Sequence, residues 1–228
     1  MRPRIHTPAP TPERQRVTIV VDAPDRAFAP GVQTALMRLG YNLISQRTAS
    51  HQAGDQGPLA PQLLIIDERR IAETTHPSTR LPVILLAGAQ GDAALRASKL
   101  DDLAIGVVRR RARLAALYPL LQATFEAQPR SVPRVDDALP ARATRGHKTW
   151  TGAIRSISEK GCLLQSSVVL EDDQPIELCF PLASQGLIHV PAVASYQAGD
   201  RTGLVFDEAL PEETRRALSD YVTDRLTS

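Results

Sequence analysis

Two short polar segments in the second half of the chain contain residues whose types and spacing could bind an anionic ligand. Residues 130–134 read RSVPR, and after a further 21 residues the segment 156–161 reads SISEKG. A guanidinium group presents a planar fork of hydrogen-bond donors, which matches phosphate oxygens and base edges better than the point charge of lysine does. Serine hydroxyls can donate or accept a hydrogen bond, and glycine permits a tight turn and a close backbone approach. Residues of these types could bind such a ligand if the fold brings the two segments together.

The first half of the chain alternates short apolar runs with segments of helical period. This pattern is typical of a parallel sheet covered by helices on both faces. Apolar residues recur at helical spacing from Phe28 to Leu39, and Gly40 is placed to end that helix. A closing helix over 114–125 stops before Pro129, because the residue before a proline avoids helical geometry. We predict an α/β doubly wound (βα)5 domain whose five strands are residues 17–21, 41–45, 63–66, 82–87 and 104–108.

Beyond Pro129 the pattern changes to short strands separated by turn residues, which is typical of a small all-β barrel. A final helix is predicted from about Pro211 to Leu226, with acidic residues at its positive end. The six predicted strands are residues 139–144, 150–156, 162–165, 176–180, 189–196 and 202–206. The resulting domain prediction is a disordered Pro-rich tail at 1–15, a first domain at 16–127, and a second domain at 128–228 with a linker at 130–134.

The spacing of the two polar segments, together with the six strands and the final helix, resembles the PilZ family. The signature of that family is RxxxR followed by [Asp/Asn]xSxxG, which corresponds here to Arg130, Arg134, Ser156, Ser158 and Gly161. The resemblance implies a small six-stranded antiparallel β-barrel with a C-terminal helix. It also implies that these five residues bind cyclic di-GMP, a bacterial second messenger. The guanidinium groups would contact guanine O6 and N7 and the phosphate oxygens.

This chain departs from the signature at Ser156, where the family has Asp or Asn. The Asp or Asn side chain can pair with the N1 and N2 donors of a guanine, whereas a serine hydroxyl cannot span two donors. Losing one charge-assisted contact weakens binding by about 1.5–3 kcal/mol, which is about one to two decades in affinity. The departure is therefore expected to weaken the site without abolishing it.

The first half resembles the receiver domains of two-component signalling, whose sites lie at the carboxyl ends of the strands. Asp67 corresponds to the phosphoacceptor and Asp22 to one of two metal-binding acids. The second acid is replaced by Ala23, the hydroxyl residue after the fourth strand by Ala87, and the Lys-Pro after the fifth strand by arginines 109–111. Phosphoryl transfer requires Mg²⁺ and positioned cations. The resemblance therefore implies a degenerate receiver kept for protein contacts, in which Asp67 is an ordinary polar strand end.

Composition argues against several other classes of protein. The formal net charge of only +2, from 24 Arg and 3 Lys against 25 acidic residues, argues against nucleic acid as a partner. No apolar run reaches the roughly 18–20 residues that cross a bilayer, and the Pro-rich start does not resemble a secretory signal. We therefore expect a cytoplasmic protein without membrane insertion. The sequence shows no metal-ligand spacing among its five histidines, no nucleophile elbow and no phosphate-binding glycine loop, which argues against a metal site and against an enzyme.

Three smaller predictions concern single side chains. Cys162 and Cys179 are too few for a disulfide framework and are predicted to be buried as small apolar groups. Trp150 is predicted to pack in the barrel. The arginines at 109, 110, 111 and 113 are predicted to form a solvated basic face, with a docking surface as the alternative.

The sequence leaves three functional interpretations open. In the first, cyclic di-GMP draws Arg130 and Arg134 onto the barrel, changes the angle between the domains and relays the signal to an unidentified protein partner in motility or biofilm regulation. In the second, the chain is a PilZ-like adaptor that has lost nucleotide binding and acts only through protein contacts, in motility or pilus machinery. Ser156 favours that alternative. In the third, the chain is a response regulator phosphorylated at Asp67.

Overall fold

The computed structural model describes residues 17–52, 60–71, 81–88, 100–171, 173–182 and 185–228. The predicted tail at 1–15 lies outside these residues, as do most of the segments between the third and fifth predicted strands. Among the residues that are described, no helix is both long and apolar enough to span a membrane.

A five-stranded parallel sheet forms the first half of the chain. Its strands are β1 Thr18–Asp22, β2 Asn42–Ser45, β3 Leu63–Asp67, β4 Val83–Ala87 and β5 Ala104–Arg109. The order across the sheet is β2-β1-β3-β4-β5, and every pair is parallel. This is the order of flavodoxin-like doubly wound folds. All residues of β3 and β4 are buried, which is why these strands read as continuous apolar runs. The predicted fold class is confirmed.

The described helices of this half are α1 Val32–Arg38, α2 Gln46–Gln52 and α3 Leu114–Phe125. The apolar spacing from Phe28 predicts a longer first helix than the structure contains. Phe28 instead pairs with Ala112 in an isolated bridge, and its side chain is buried. Gly40 follows α1 with a φ of 96°, as expected of a residue that ends a helix in the left-handed region. The predicted bounds of α3 match the structure.

A closed six-stranded antiparallel barrel and a final helix form the second half. The order around the barrel is β10-β11-β8-β7-β6-β9, and β9 pairs with β10 to close it. The strands are β6 Val135–Arg145, β7 Lys148–Ser158, β8 Gly161–Gln165, β9 Pro175–Leu182, β10 Gly186–Ala198 and β11 Arg201–Phe206, and the helix is α4 Glu212–Thr227. All six predicted strands are present. β6 begins four residues earlier than predicted, so it directly follows residues 130–134, which we call the arginine segment.

Alternation of buried and exposed residues places one face of each strand in the barrel core. Phe180 and Phe206 stack there with ring centroids 6.4 Å apart, and Cys162 is fully buried, as predicted. Trp150 packs against the same core from a partly buried position, which agrees with its prediction. The helix α4 contributes its apolar stripe, which consists of Leu218, Tyr221, Val222 and Leu226.

The helix α4 also connects the barrel to the parallel-sheet half. Arg38 of α1 donates a hydrogen bond from Nη1 to the backbone oxygen of Arg225 at 2.8 Å. Ala35 of α1 belongs to the same cluster of buried side chains as the barrel core. Gly31 begins α1 with a φ of 77°, and a Cβ there would overlap the side chain of Thr227. The two halves therefore pack directly through α1 and α4.

A polar network fixes α4 to the start of β6. The Asp137 carboxylate accepts a short hydrogen bond from the Tyr221 hydroxyl and pairs with Arg225 Nη2 at 3.0 Å. The guanidinium of Arg225 also lies 5.3 Å from the centre of the Tyr221 ring. Burial opposes ionisation of Asp137, but hydrogen bonds from Tyr221 and the Ala138 N–H, together with the charge of Arg225, lower the pKa of this carboxyl. The ionised carboxylate therefore stabilises the folded chain.

We expect Tyr221→Phe to lower the free energy of unfolding at neutral pH by about 1.5–3 kcal/mol, because a charge-assisted hydrogen bond is lost. A group whose pKa is depressed by folding contributes stability above its unfolded pKa, and that contribution is lost as the pH falls through the folded value. The difference between the two proteins should therefore shrink below the ordinary carboxyl pKa of 3.8. Urea denaturation at several pH values measures both effects. Tyr196→Phe is the control, since that side chain is 45% exposed; an equal loss in both variants would contradict the role of Asp137.

Candidate functional site

Pairing of β6 with β7 brings the two polar segments of the sequence together. Residues 130–134 run directly into β6, and residues 156–161 span the end of β7, its turn and the start of β8. In the register, Val135 lies opposite Ile157 and Asp136 lies opposite Ser156. Lys160 in the turn donates a hydrogen bond from Nζ to the Ser131 hydroxyl at 3.3 Å. The arginine segment therefore lies at one end of the barrel beside residues 156–161, which we call the serine turn.

The two arginines of the segment occupy different environments. Arg130 is exposed, and its backbone N–H donates to Gln122 Oε1 of α3 at 3.3 Å. Arg134 is half-buried and lies close enough to β8 to act on Cys162. Burial raises the pKa of the Cys162 thiol to about 12, and the positive charge of Arg134 partly opposes this effect. Arg130 is thus anchored through its backbone to the first half of the chain, while Arg134 lies against the barrel.

The two serines of the site have different roles in the structure. A bulge in the pairing of β7 with β8 lies between Ile154 and Ser156, and beyond it Ser156 pairs with Leu163 as a half-buried residue. Ser158 is 1% exposed, and its hydroxyl donates to the backbone oxygen of Gly161 at 3.0 Å. The hydroxyl of Ser158 therefore closes the turn, whereas the hydroxyl of Ser156 is nearer the surface.

Gly161 is required by the close packing of β8 on β11. It pairs with Val205, and a Cβ at this position would overlap the backbone oxygen of Leu204. The backbone N–H of Phe206 donates to the Lys160 oxygen at 2.9 Å and ties the turn to the end of β11. The glycine of the sequence motif thus permits the close backbone approach that was predicted for it.

A cleft of about 290 Å³ lies beside the serine turn, and the sequence does not predict it. The turn contributes Glu159 and Lys160, and α4 contributes the other lining residues, which are Glu212, Arg215, Arg216 and Ser219. The two groups of residues are more than 50 positions apart, so only the packing of α4 on the barrel brings them together. This cleft places the turn next to the helix that contacts the first half of the chain.

The second half is thus a closed six-stranded barrel that is preceded by an arginine segment and has a serine and glycine turn beside that segment. The family model for the PilZ domain matches residues 128–224. This C-terminal part of the chain is a PilZ domain, and the resemblance inferred from the motif is confirmed.

Comparison with solved structures finds several partial similarities at low sequence identity. The PilZ domain of CeSA from a cellulose-synthesising bacterium is 15% identical, with a TM-score of 0.33 over 42% of this chain and 94% of that one. The PilZ domain of YcgR from Escherichia coli, a structure with c-di-GMP, is 12% identical, with a TM-score of 0.35 over 44% and 89%. The inhibitor of motility MotI/DgrA of Bacillus subtilis is 17% identical, with a TM-score of 0.38 over 43% and 51%, so the match spans about half of that protein. Comparison with curated protein sequences gives no match.

Two acidic residues at the carboxyl edge of the parallel sheet, Asp22 and Asp67, are each paired with an arginine. Asp67 is 1% exposed, and its carboxylate lies 2.8 Å from Arg110 Nη2. Its other oxygen accepts a hydrogen bond from the Arg69 backbone N–H at 3.0 Å. Asp22 lies 2.8 Å from Arg70 Nη1. Asp22 and Asp67 are thus both neutralised by arginines of the same chain.

These contacts correct two of the sequence predictions. Asp67 is not an ordinary polar strand end, because its carboxylate is buried and ion-paired. Arg110 does not belong to a solvated face, because its side chain is only 17% exposed and contacts Asp67. The signal was present in the sequence, since an arginine stands just after β5 where a receiver has lysine. Among the described residues, no group of His, Cys, Asp and Glu side chains is placed to hold a metal ion.

We expect Arg110→Ala to lower the free energy of unfolding by about 3 kcal/mol, because it leaves a buried carboxylate without its partner. Arg109→Ala is the matched control, since Arg109 is exposed at the end of β5. Urea denaturation of the full chain measures both variants. A further substitution, Asp67→Asn in the Arg110→Ala background, should recover part of the loss because it removes the buried charge. Equal effects of the two arginine substitutions would contradict the pairing.

Proposed function

We propose that the PilZ domain of this chain binds cyclic di-GMP at the site formed by Arg130, Arg134, Ser156, Ser158 and Gly161. The observation that carries the proposal is the meeting of the arginine segment with the serine turn, through the pairing of Asp136 with Ser156 and the contact of Lys160 with Ser131. Two signature segments separated by 21 residues thereby lie side by side at one end of the barrel. In the PilZ family these segments form the cyclic di-GMP site.

The residues of the site suit the chemistry of this ligand. Cyclic di-GMP carries two phosphodiesters and two guanines, so it offers both anionic oxygens and base edges. Arg130 and Arg134 supply forked donors for O6, N7 and phosphate oxygens, and their planar groups can stack on a base. Ser156 supplies a single hydroxyl, while Ser158 and Gly161 hold the turn in shape. Because serine replaces the carboxylate or amide of the family signature, the affinity should be reduced rather than lost.

The linker at residues 130–134 connects the proposed ligand site to the first half of the chain by hydrogen bonds. The Arg130 N–H is bonded to Gln122, and Gln122 Nε2 in turn donates to the Tyr41 hydroxyl at 3.1 Å within the first half of the chain. A ligand that draws the side chains of the linker onto the barrel must move or strain these contacts. Binding then shifts the balance between arrangements of the two halves, within the limit set by the difference in affinity for them.

The role of the whole chain that we propose is signal relay by binding rather than catalysis, in a bacterial cytoplasm. The first half would serve as a degenerate receiver that contacts a signalling partner, since Arg110 and Arg70 already neutralise its acidic residues. Regulation of motility or biofilm formation is the process that we propose for the relay. The residue ranges 16–127 and 128–228 are the domain division that we propose.

Titration calorimetry of the full chain with cyclic di-GMP tests the binding proposal. We expect saturable heat for the native protein and an affinity lower by about one to two decades for Arg134→Ala, because charge-assisted contacts of about 1.5–3 kcal/mol are lost. Arg142→Ala is the control, since Arg142 is an exposed arginine of β6 outside the site. The absence of heat for the native protein at near-millimolar concentration would overturn the proposal, and an unaffected Arg134→Ala would overturn the assignment of this residue.

The second candidate function is an adaptor that no longer binds nucleotide, and Ser156 is the observation that favours it. Ser156→Asp distinguishes the two. If the native site is a weakened cyclic di-GMP site, the new carboxylate should pair with the guanine N1 and N2 donors and raise the affinity by about one to two decades. Ser167→Asp, at an exposed serine beyond β8, is the control for the added charge. Failure of both the native protein and Ser156→Asp to bind would favour the adaptor.

A further inference from the structure

A cysteine, a histidine and a glutamate lie side by side on the outer surface of the barrel, on the strands β9 and β10. Cys179 and Glu177 lie on the outer face of β9. Leu178 and Phe180 alternate with them and point into the core. His189 lies directly opposite Cys179 on β10. The prediction that Cys179 is a buried apolar group is wrong, because the residue lies on the outer face and is partly exposed. The alternation of apolar and polar residues along β9 could have indicated that Cys179 faces outward.

The three side chains are hydrogen-bonded in series. Cys179 Sγ lies 3.6 Å from His189 Nε2, and His189 Nδ1 lies 3.1 Å from Glu177 Oε1. A proton on Nδ1 that is donated to Glu177 leaves Nε2 free to accept the proton of the thiol. This order of nucleophile, base and orienting carboxylate is the arrangement that activates a thiol.

The surroundings of the thiol also suit reaction with an electrophile. The side chains of Glu177 and His189 are 58% and 62% exposed, so both are accessible from solvent. Arg142 lies opposite Cys179 on the other neighbouring strand, β6, and places a positive charge in the same row. Partly exposed thiols in electropositive surroundings are the reactive ones, because the thiolate is the nucleophile. Cys162, by contrast, is fully buried in the core.

We propose that Cys179 is a reactive thiol that undergoes reversible exchange with low-molecular-weight disulfides, with His189 as its base and Glu177 as the residue that positions His189. The thiol proton moves to His189 Nε2, and the thiolate attacks one sulfur of the disulfide. The disulfide bond of the reagent breaks as the bond to Cys179 forms. The departing half leaves as a thiolate and takes the proton from His189, so that Cys179 is oxidised and one half of the reagent is reduced.

The position of the thiol separates this site from the nucleotide site. β9 lies between β6 and β10 in the barrel, whereas β8, which begins with Gly161, lies between β7 and β11. The two sites therefore occupy different sides of the barrel. Modification of Cys179 would add a bulky group to the β9–β10 surface without touching the serine turn, so it offers a second, redox-dependent input to the same domain.

Two measurements on the full chain test the proposal. Incubation with oxidised glutathione, followed by intact-mass analysis and peptide mapping, should give one adduct per chain at Cys179. The rate of reaction with 5,5′-dithiobis(2-nitrobenzoate) should show one fast thiol in the native protein. Cys179→Ser should abolish the adduct and the fast phase, whereas Cys162→Ser should change neither. Reaction at Cys162, or a native thiol no faster than the same thiol in the urea-unfolded chain, would overturn the proposal.

Separate variants test the roles of His189 and Glu177 in the reaction of Cys179. His189→Gln should slow the reaction of the native protein by about tenfold or more, because the base is lost, and should leave the rate in the unfolded chain unchanged. Glu177→Ala should slow the native reaction as well. Glu177→Gln should restore most of the rate, because the amide oxygen still accepts the hydrogen bond from Nδ1 and orients the ring. An unchanged native rate in His189→Gln would show that the thiol does not depend on the imidazole.

Discussion

The pairing of β6 with β7 is the interaction on which the proposed site depends. The arginine segment has no regular structure of its own, and it lies beside the serine turn because the strand that follows it is registered against the strand that carries the turn. Closure of the barrel through β9 fixes β6 from its other side. A slip of one residue in this register would turn Ser156 to the other face of the sheet. The barrel is therefore the scaffold that defines the site.

The last helix connects the surroundings of the proposed site to the first half of the chain. Its residues line the cleft beside the serine turn, its Tyr221 and Arg225 bind Asp137 at the start of β6, and the Arg225 carbonyl accepts a hydrogen bond from Arg38 of α1. The linker supplies a second connection through Gln122. Displacement of the arginine segment would thus act on both connections between the two halves, which is the physical basis of the proposed relay.

Much of the fold could be predicted because its signals are local. Continuous apolar runs identified the buried parallel strands, turn residues divided the barrel into six strands, and Gly40 marked the end of α1. The sequence motif also identified the two segments of the proposed site, which are distant in sequence and become neighbours through strand pairing. Contacts that depend on tertiary packing were missed. The row of Arg142, Cys179 and His189 across three strands follows from strand order and register, which spacing along one chain does not contain. The pairing of Asp67 with Arg110 was missed although the arginine after β5 was visible in the sequence, because spacing alone does not show which side chain it contacts.

The two arginine pairs at the sheet edge have a consequence for the first half of the chain. In a phosphorylated receiver the acidic cluster is held by a metal ion and a lysine, whereas here Arg70 and Arg110 satisfy Asp22 and Asp67 from within the chain. Because both carboxylates are already paired, we expect a response to a signal to start elsewhere in the molecule. Hydrogen–deuterium exchange with and without cyclic di-GMP most directly tests whether ligand binding at the arginine segment and the serine turn affects the first half of the chain. The account predicts slower exchange at 130–135 and 156–161 on binding, and altered exchange at α1 and α4. Ligand saturation without any change at the arginine segment and the serine turn would contradict it.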